Sequence, residues 1–308
     1  MKGRLGNQLF KYAFTRYVHI KRAEADDLVF SFNNMIGRDS SDGWEDSLKY
    51  FNTINYSIYD GKGHLVTHKT TFIQRLIVLL YYFETRVIGR NDRGNRNNIT
   101  YKWDPLLNKL GLLIIGEKLY IPFIPNSKNI FIDGSFQCTK YFDEIRNVLL
   151  NEFTPKEAPL IQNSDLYRII EGSNSVCISI RRGDYVSNAE FNKIYNLCDI
   201  QYFTAAVQKI KEVIDNPVFI LFSDDIDWAR NNLDFGVETY YESGNDPVWE
   251  KLRLMYSCKH FIISNSSFSW WAQYLCRNDS KIVVSPSRWY NLDYPAYLID
   301  DKWITIEV

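Results

Sequence analysis

The chain has 308 residues, more than one typical domain and most simply two of roughly 150 each. Its 36 Lys and Arg against 37 Asp and Glu leave a net charge of −1, which argues against a chain built to coat nucleic acid. At 45% hydrophobic and 24% charged residues it is not disordered, because disorder needs low hydrophobicity and high net charge.

After a glycine turn, GNQLFKYAFTRYVHI (6–20) is expected to form an amphipathic helix with Leu9, Phe10, Ala13, Phe14 and Tyr17 on one face. LVFSF (28–32) reads as a short strand. From about 33 to 130 the pattern is irregular, the kind of long stretch that is usually functional or mobile, and RNDRGNRNN (90–98) reads as an exposed loop. FIQRLIVLLYYF (72–83) is too short to span a bilayer and is expected to be a core helix, or else a helix lying on a membrane face. NIFIDG (129–134) is a strand, and a helix is expected over 139–152 with Thr139 as its N-cap. TPKEAP (154–159), with two prolines around a polar stretch, marks a boundary between domains 1–155 and 156–308.

Beyond the boundary the alternation is clean. VCISI (176–180), VFILF (218–222), VETYY (237–241), HFIIS (260–264) and KIVVS (281–285) are strands. Helices fall between them at 199–214, 224–233, 246–258 and 266–277, the first with a stripe of Ile200, Phe203, Val207, Ile210 and Ile214. Short apolar strands alternating with helices mean an α/β domain with a parallel sheet covered on both faces.

Five cysteines in an odd, widely spaced set fit a reducing cytoplasm better than a disulfide framework, and no CxxC pair suggests a zinc ribbon. His64 and His68 stand four apart but lack the Glu of HExxH, so no metal site is assigned to them. The N-terminus has no signal-peptide pattern.

In open parallel sheets, ligands bind beyond the carboxyl ends of the strands. VCISI is followed by Arg181, Arg182, Gly183, Asp184 and Tyr185. One arginine is expected to reach a phosphate while the other is held by Asp184 or a backbone carbonyl; a purely structural Arg–Asp pair is the plain alternative. VFILF is followed by Asp224 and Asp225, which suit guanine or ribose, or else cap the next helix. HFIIS is followed by Asn265, Ser266, Ser267 and Phe268 at a helix start, which suit phosphate, or else a serine cap with Trp270 and Trp271 in the core. Together they point to a binder of a nucleoside diphosphate.

These residues also resemble a known family. LGNQLFKYAF (5–14), GSFQCTKYFDEIRNVLLNEF (134–153), ISIRRGDYV (178–186), LFSDDIDWARNNL (221–233), LRLMYSCKHFIISNSSFSWWAQYL (252–275) and VVSPSRWY (283–290) are similar to the motifs of the α-1,2-fucosyltransferases of glycosyltransferase family 11. The resemblance implies a GT-B-like architecture, two Rossmann-like domains with parallel sheets facing a cleft. It implies inverting transfer of fucose from GDP-fucose to the 2-hydroxyl of a galactose-type acceptor, with no metal and no cofactor beyond that donor. It places Arg181 on the β-phosphate, Asp224 or Asp225 on guanine or ribose, Asn265, Ser266, Ser267 and Phe268 on phosphate, and Gly6, Asn7 and Gln8 over the donor. Two departures stand out. Ser179 replaces the family's His, near the expected nucleotide, and Arg4 stands where the glycine loop has a second glycine.

The attacking hydroxyl must lose a proton, and Asp184 and Glu190 are the candidate bases, Asp184 having an alternative role in orienting an arginine. A metal-dependent rival rests on Asp225 and Asp227, which form DxD after a strand. A second rival is a catalytically weak sugar- or nucleotide-binding homologue, kept open by Ser179. A terminal galactose on a bacterial surface glycan is the implied acceptor, and a cytoplasmic position, peripheral on the inner membrane face, the implied location. In the implied fold a strand precedes the glycine loop, yet only Met1 and Lys2 stand before Gly3. The first strand is therefore expected to be largely missing, through a misassigned start or a truncation.

Overall fold

The computed structural model describes residues 1–35, 43–61, 66, 69–87, 93–115, 127–292 and 296–308. The chain divides into two compact units, Met1–Ser47 with Ile54–Leu149, and Leu48–Thr53 with Leu150–Val308. The sequence reading places its boundary at 155/156; the short Leu48–Thr53 segment joins the second unit because Phe51 packs edge-on against Phe153 and bridges to Pro155.

In the first unit, α1 (Leu5–Lys21) is followed by β1 (Val29–Phe30) and β2 (Ser57–Ile58), which pair in parallel. Two helices follow, α2 (Phe72–Val87) and α3 (Arg93–Lys109), then β3 (Leu112–Ile115) and β4 (Phe131–Gly134), a second parallel pair. The division between the units falls within α4 (Arg146–Glu152). Leu9, Phe10, Ala13 and Phe14 are fully buried as expected, but Tyr12, Arg16, Val18 and His19 are buried too, so α1 is enclosed on most sides. No strand precedes α1 among the described residues, and the four strands form two separate ladders.

Several expectations for this unit are corrected. Residues 93–98 of the supposed loop form the first turns of α3, recruited because Ile99 and Leu107 bury against Val78 and Tyr81 of α2. Thr139 opens a 3-10 turn with Cys138 before it and makes no side-chain cap; a second 3-10 turn at Asp143–Ile145 leads into α4. The run 72–83 is a helix but not a core helix: only Val78 and Tyr81 of α2 are buried. His64 and His68 lie outside the described residues.

In the second unit, α5 (Ser164–Gly172) precedes β5 (Asn174–Ile180), α6 (Gly183–Ser187), α7 (Ala189–Tyr195) and α8 (Ile200–Val213). Then come β6 (Pro217–Ser223), α9 (Ile226–Asn232), β7 (Thr239–Tyr241), α10 (Val248–Ser257) and β8 (His260–Ile263). The chain closes with α11 (Ser267–Leu275), β9 (Val283–Pro286) and β10 (Ile304–Ile306). All six strands are parallel, in the order β10-β9-β8-β5-β6-β7. Beginning from β5, the chain runs outward on one side and then returns to lay β8 on the other. That reversal opens a crevice at the carboxyl ends of β5 and β8, the place where such sheets bind ligands.

Alternation covers both faces. Val176, Ile178 and Ile180 of β5 join Phe203, Val207 and Ile210 of α8 in one apolar cluster. Cys177, between them, lies instead against Cys258 and Cys276. Ile200 is 45% exposed, so the α8 stripe begins at Phe203 rather than where expected. The α/β class with parallel sheets is as the sequence implies.

Candidate functional site

The crevice of the second unit is built by register. Ile180, the last residue of β5, is opposite Ser223, the last of β6, so Arg181 and Asp224 leave the sheet side by side. Arg181 Nη1 lies 2.8 Å from Asp224 Oδ2, while its Nη2 donates to Asp184 Oδ1. Burial works against the charge of Arg181, yet Asp224 and Asp184 outweigh it and hold the guanidinium pKa above its usual value. The cation also lies 5.5 Å from the Tyr185 ring.

Arg182 is held differently. Its backbone N–H donates to Asp224 Oδ1 at 2.8 Å, and its Nε pairs with Asp225 Oδ2 at 3.2 Å. Its guanidinium stacks 3.4 Å above the Trp228 ring. Both arginines therefore have carboxylate partners, where only one was expected to. Gly183 leaves the room this pairing uses: a Cβ on it would stand 2.5 Å from Asp224 Oδ2.

Asp225 caps α9, accepting the Trp228 N–H. Asp227 sits on α9 with its side chain 87% exposed, 3.9 Å from Arg230. The two carboxylates of DxD thus serve different partners and do not converge, which weakens the metal-dependent rival on geometry.

At the end of β8, Ser266 caps α11 by accepting the Phe268 N–H at 3.3 Å, with Ser267 and Phe268 half-buried in the first turn. Trp270 and Trp271 are buried, so the cap and the core role coexist with a helix terminus at the crevice. Asn265 is a fastener: its Nδ2 donates to the carbonyls of Tyr195 at 2.9 Å and Trp289 at 3.0 Å. Tyr185 Oη donates to the Asn265 carbonyl at 3.3 Å, and Cys198, its thiol pushed up to about 12 by burial, donates to Asn265 Oδ1. The amide side chain is therefore occupied in tying α7 and the loop after β9 to the crevice floor.

Ser179 is buried under this floor. Its hydroxyl bonds Ser269 Oγ at 2.6 Å, and Ser269 in turn meets Ser264 Oγ at 3.2 Å. It supports α11 from below. Glu190 is exposed on α7, in the first turn capped by Asn188. One buried pair escaped the sequence reading. Lys251 Nζ lies 2.8 Å from Glu242 and 3.4 Å from the Ser223 carbonyl, bracing the ends of β6 and β7.

Gly6, Asn7 and Gln8 belong to the first unit, in the first turn of α1. Gln8 is fully buried, donating to the carbonyls of Gly3 at 3.0 Å and Glu45 at 2.7 Å and accepting from the Ser47 N–H. Asn7 Oδ1 accepts from Gln137 at 2.8 Å. Gly3 adopts a φ of +94°, and a Cβ there would collide with Asn7 at 2.6 Å, which explains the glycine. Arg4 lies 5.9 Å from the Trp44 ring.

Among the described residues, no group of three or more His, Cys, Asp or Glu is arranged to hold a metal ion. No helix among them is long and apolar enough to cross a membrane.

The profile described as "Glycosyl transferase family 11" matches residues 97–307. An α-1,2-colitosyltransferase of Escherichia coli is 37% identical over 56% of this chain and 61% of its own length, so the alignment spans about three fifths of that relative. The O-antigen biosynthesis glycosyltransferase WbnK of Escherichia coli is 28% identical over 99% of both chains. The crystal structure of fucosyltransferase NodZ from Bradyrhizobium aligns with a TM-score of 0.49 at 10% identity, covering 89% of this chain and 90% of that one.

Proposed function

The chain belongs to glycosyl transferase family 11, and from that premise we propose that it transfers fucose from GDP-fucose to the 2-hydroxyl of a galactose-type residue on a glycan, with inversion and without an essential metal. The observation that carries this reading is the meeting of Arg181, Arg182 and the Ser266-capped helix at the adjoining ends of β5 and β8. Guanidinium donors and a helix N-terminus are the groups that take a diphosphate.

In this reading the acceptor oxygen forms a bond to C1 of fucose while the bond from C1 to the β-phosphate oxygen breaks. The leaving GDP gains negative charge, which Arg181, Arg182 and the first turn of α11 stabilise. The acceptor proton passes to a carboxylate. Asp184 is bound to Arg181, which favours its orienting role, and Glu190 is the exposed carboxylate of the following helix. Asp224 or Asp225 is assigned to guanine or ribose by resemblance, and either would add that contact to the ones it makes with Arg181, Arg182 and the Trp228 N–H. Gly6, Asn7 and Gln8 are assigned to the donor by resemblance, with Gln8 acting by shaping its loop.

A second reading concerns the sugar. The relative at 37% identity carries the name of a colitosyltransferase, so colitose is the competing donor sugar. The name of the O-antigen relative supports a cell-surface polysaccharide as the acceptor class. The odd, widely spaced set of five cysteines supports action in a reducing compartment.

The test is the full chain with GDP-fucose and GDP-colitose against galactose-terminated acceptors, with product linkage read by NMR. An α-1,2-fucosylated product supports the proposal. A product from GDP-colitose alone replaces the donor. Activity lost in EDTA and restored by Mn²⁺ supports the metal-dependent rival. GDP binding without transfer or hydrolysis supports the non-catalytic one.

A further inference from the structure

Helix α2 carries two apolar faces. Val78 and Tyr81 point into the first unit, against Ile99, Leu107 and Leu112. On the other side Phe72 is 80% exposed, Ile73 65%, Leu79 60% and Phe83 64%, with Leu76, Leu80 and Val87 also exposed. At 3.6 residues per turn these seven fall within an arc of about 120°, centred almost opposite the buried pair. Soluble monomers rarely leave so continuous an apolar face in water.

The exposed charges on its margins are mostly positive. Arg75 and Arg86 are exposed along one margin of the stripe. On the other margin stands Glu84, the only acidic residue of the helix, and it is tied to Lys102 at 2.9 Å and to the Trp103 indole. The side chain of Lys102 is 69% exposed, so this margin too presents a cation. Lys69, just before the helix, is exposed as well.

We propose that α2 lies flat on an anionic lipid surface, its Phe72–Val87 stripe immersed at the headgroup boundary and its flanking cations on lipid phosphates. A stripe of Phe, Leu and Ile edged by Arg and Lys, too short and too amphipathic to span, is the pattern of an interfacial helix. A second copy fits less well. A twofold contact through this face would set the same cations against one another. The surface belongs to the first unit and the crevice to the second, and the proposal does not depend on which sugar is transferred.

The test is co-sedimentation of the full chain with vesicles of phosphatidylcholine containing about one third phosphatidylglycerol, beside pure phosphatidylcholine. Binding to the anionic vesicles is expected, weakening by about fivefold for each of Arg75→Glu and Arg86→Glu and with rising salt. Leu79→Glu with Phe83→Glu should lower the bound fraction at least tenfold. Leu76→Trp, a milder change, should show a blue-shifted emission on anionic vesicles only. All these positions are exposed, and circular dichroism checks that each variant folds. Equal, weak sedimentation with both vesicle types, or unshifted Leu76→Trp emission, overturns the proposal. So does a wild-type dimer that the Leu79→Glu, Phe83→Glu variant converts to a monomer.

Discussion

Gly183→Ala tests whether the arginine cluster is as tightly built as its distances indicate. The residue opens α6, its φ lies outside the left-handed region, and alanine would ordinarily favour the helix by up to about 1 kcal/mol. Here the new Cβ would stand 2.5 Å from Asp224 Oδ2. That oxygen holds Arg181 at 2.8 Å, and the other oxygen holds the Arg182 N–H at 2.8 Å. The carboxylate cannot swing clear without giving up one of them. A hydrogen bond to a charged group is worth roughly 1.5–3 kcal/mol, and the side chains of Arg181 and Asp224 are only 20% and 27% exposed. Set against the helix gain, the variant should lose about 1–2 kcal/mol in urea unfolding and raise the donor KM. Gly172→Ala, at the end of α5 with nothing within 4 Å of its Cβ, is the control and should be neutral or slightly more stable. If the two variants match in stability and donor KM, the cluster is looser than drawn and the reasoning fails.

Four further outcomes follow. Arg181→Ala should lower kcat on the order of 100-fold, because a charge-matched contact to the leaving group is lost; an unchanged rate removes Arg181 from the donor site. If Glu190 is the base, Glu190→Gln abolishes turnover while Asp184→Asn mainly weakens donor binding; near-normal rates in both variants exclude the pair. Asn265→Ala strips partners from the Tyr195 and Trp289 carbonyls and should cost about 2–3 kcal/mol in unfolding free energy. Burial lowers the pKa of His260, with Lys259 adding to it, and its Nδ1 accepts the Ile282 N–H, so the unfolded chain binds the extra proton. Stability from this group is then complete above 6.5 and falls as pH drops through the lowered folded value, and His260→Gln should flatten urea midpoints measured between about pH 7.5 and about pH 5.

Five of the six strands of the second unit were legible because each is a short apolar run bounded by polar residues, and runs of that kind survive only where both faces are covered; β10, three residues at the sheet edge, was not. Helices α6 and α7 were not, because GDYVSNAEFNKIY carries no apolar period. Helix α2 was read correctly as a helix but placed in the core, since composition cannot distinguish a face turned inward from one turned out. The pairing of Arg181 with Asp184 was visible at a spacing of three residues. Its second partner, Asp224, needed the β5–β6 register, which places 181 beside 224. The holding role of Asn265 was hidden, because its partners are backbone carbonyls of Tyr195 and Trp289, groups every residue possesses.

The near-zero net charge of the chain repeats on a small scale at the crevice. Arg181 and Arg182 face three carboxylates, Asp184, Asp224 and Asp225. Such a cluster has no surplus positive field with which to draw in a diphosphate from a distance. On the proposed reading, recognition comes at short range, with phosphate oxygens competing with carboxylate oxygens for the guanidinium N–H groups. The two arginines are unequally placed for that competition. Arg181 has each terminal nitrogen on a carboxylate, which leaves one N–H on each and the Nε, so a phosphate approaching it meets the negative field of Asp184 and Asp224. Arg182 holds Asp225 through Nε and is already flattened against Trp228, so its terminal nitrogens can meet an anion without breaking that pair. On this geometry Arg182 would make the first contact with the donor, and Arg181 would engage as the leaving group gains charge.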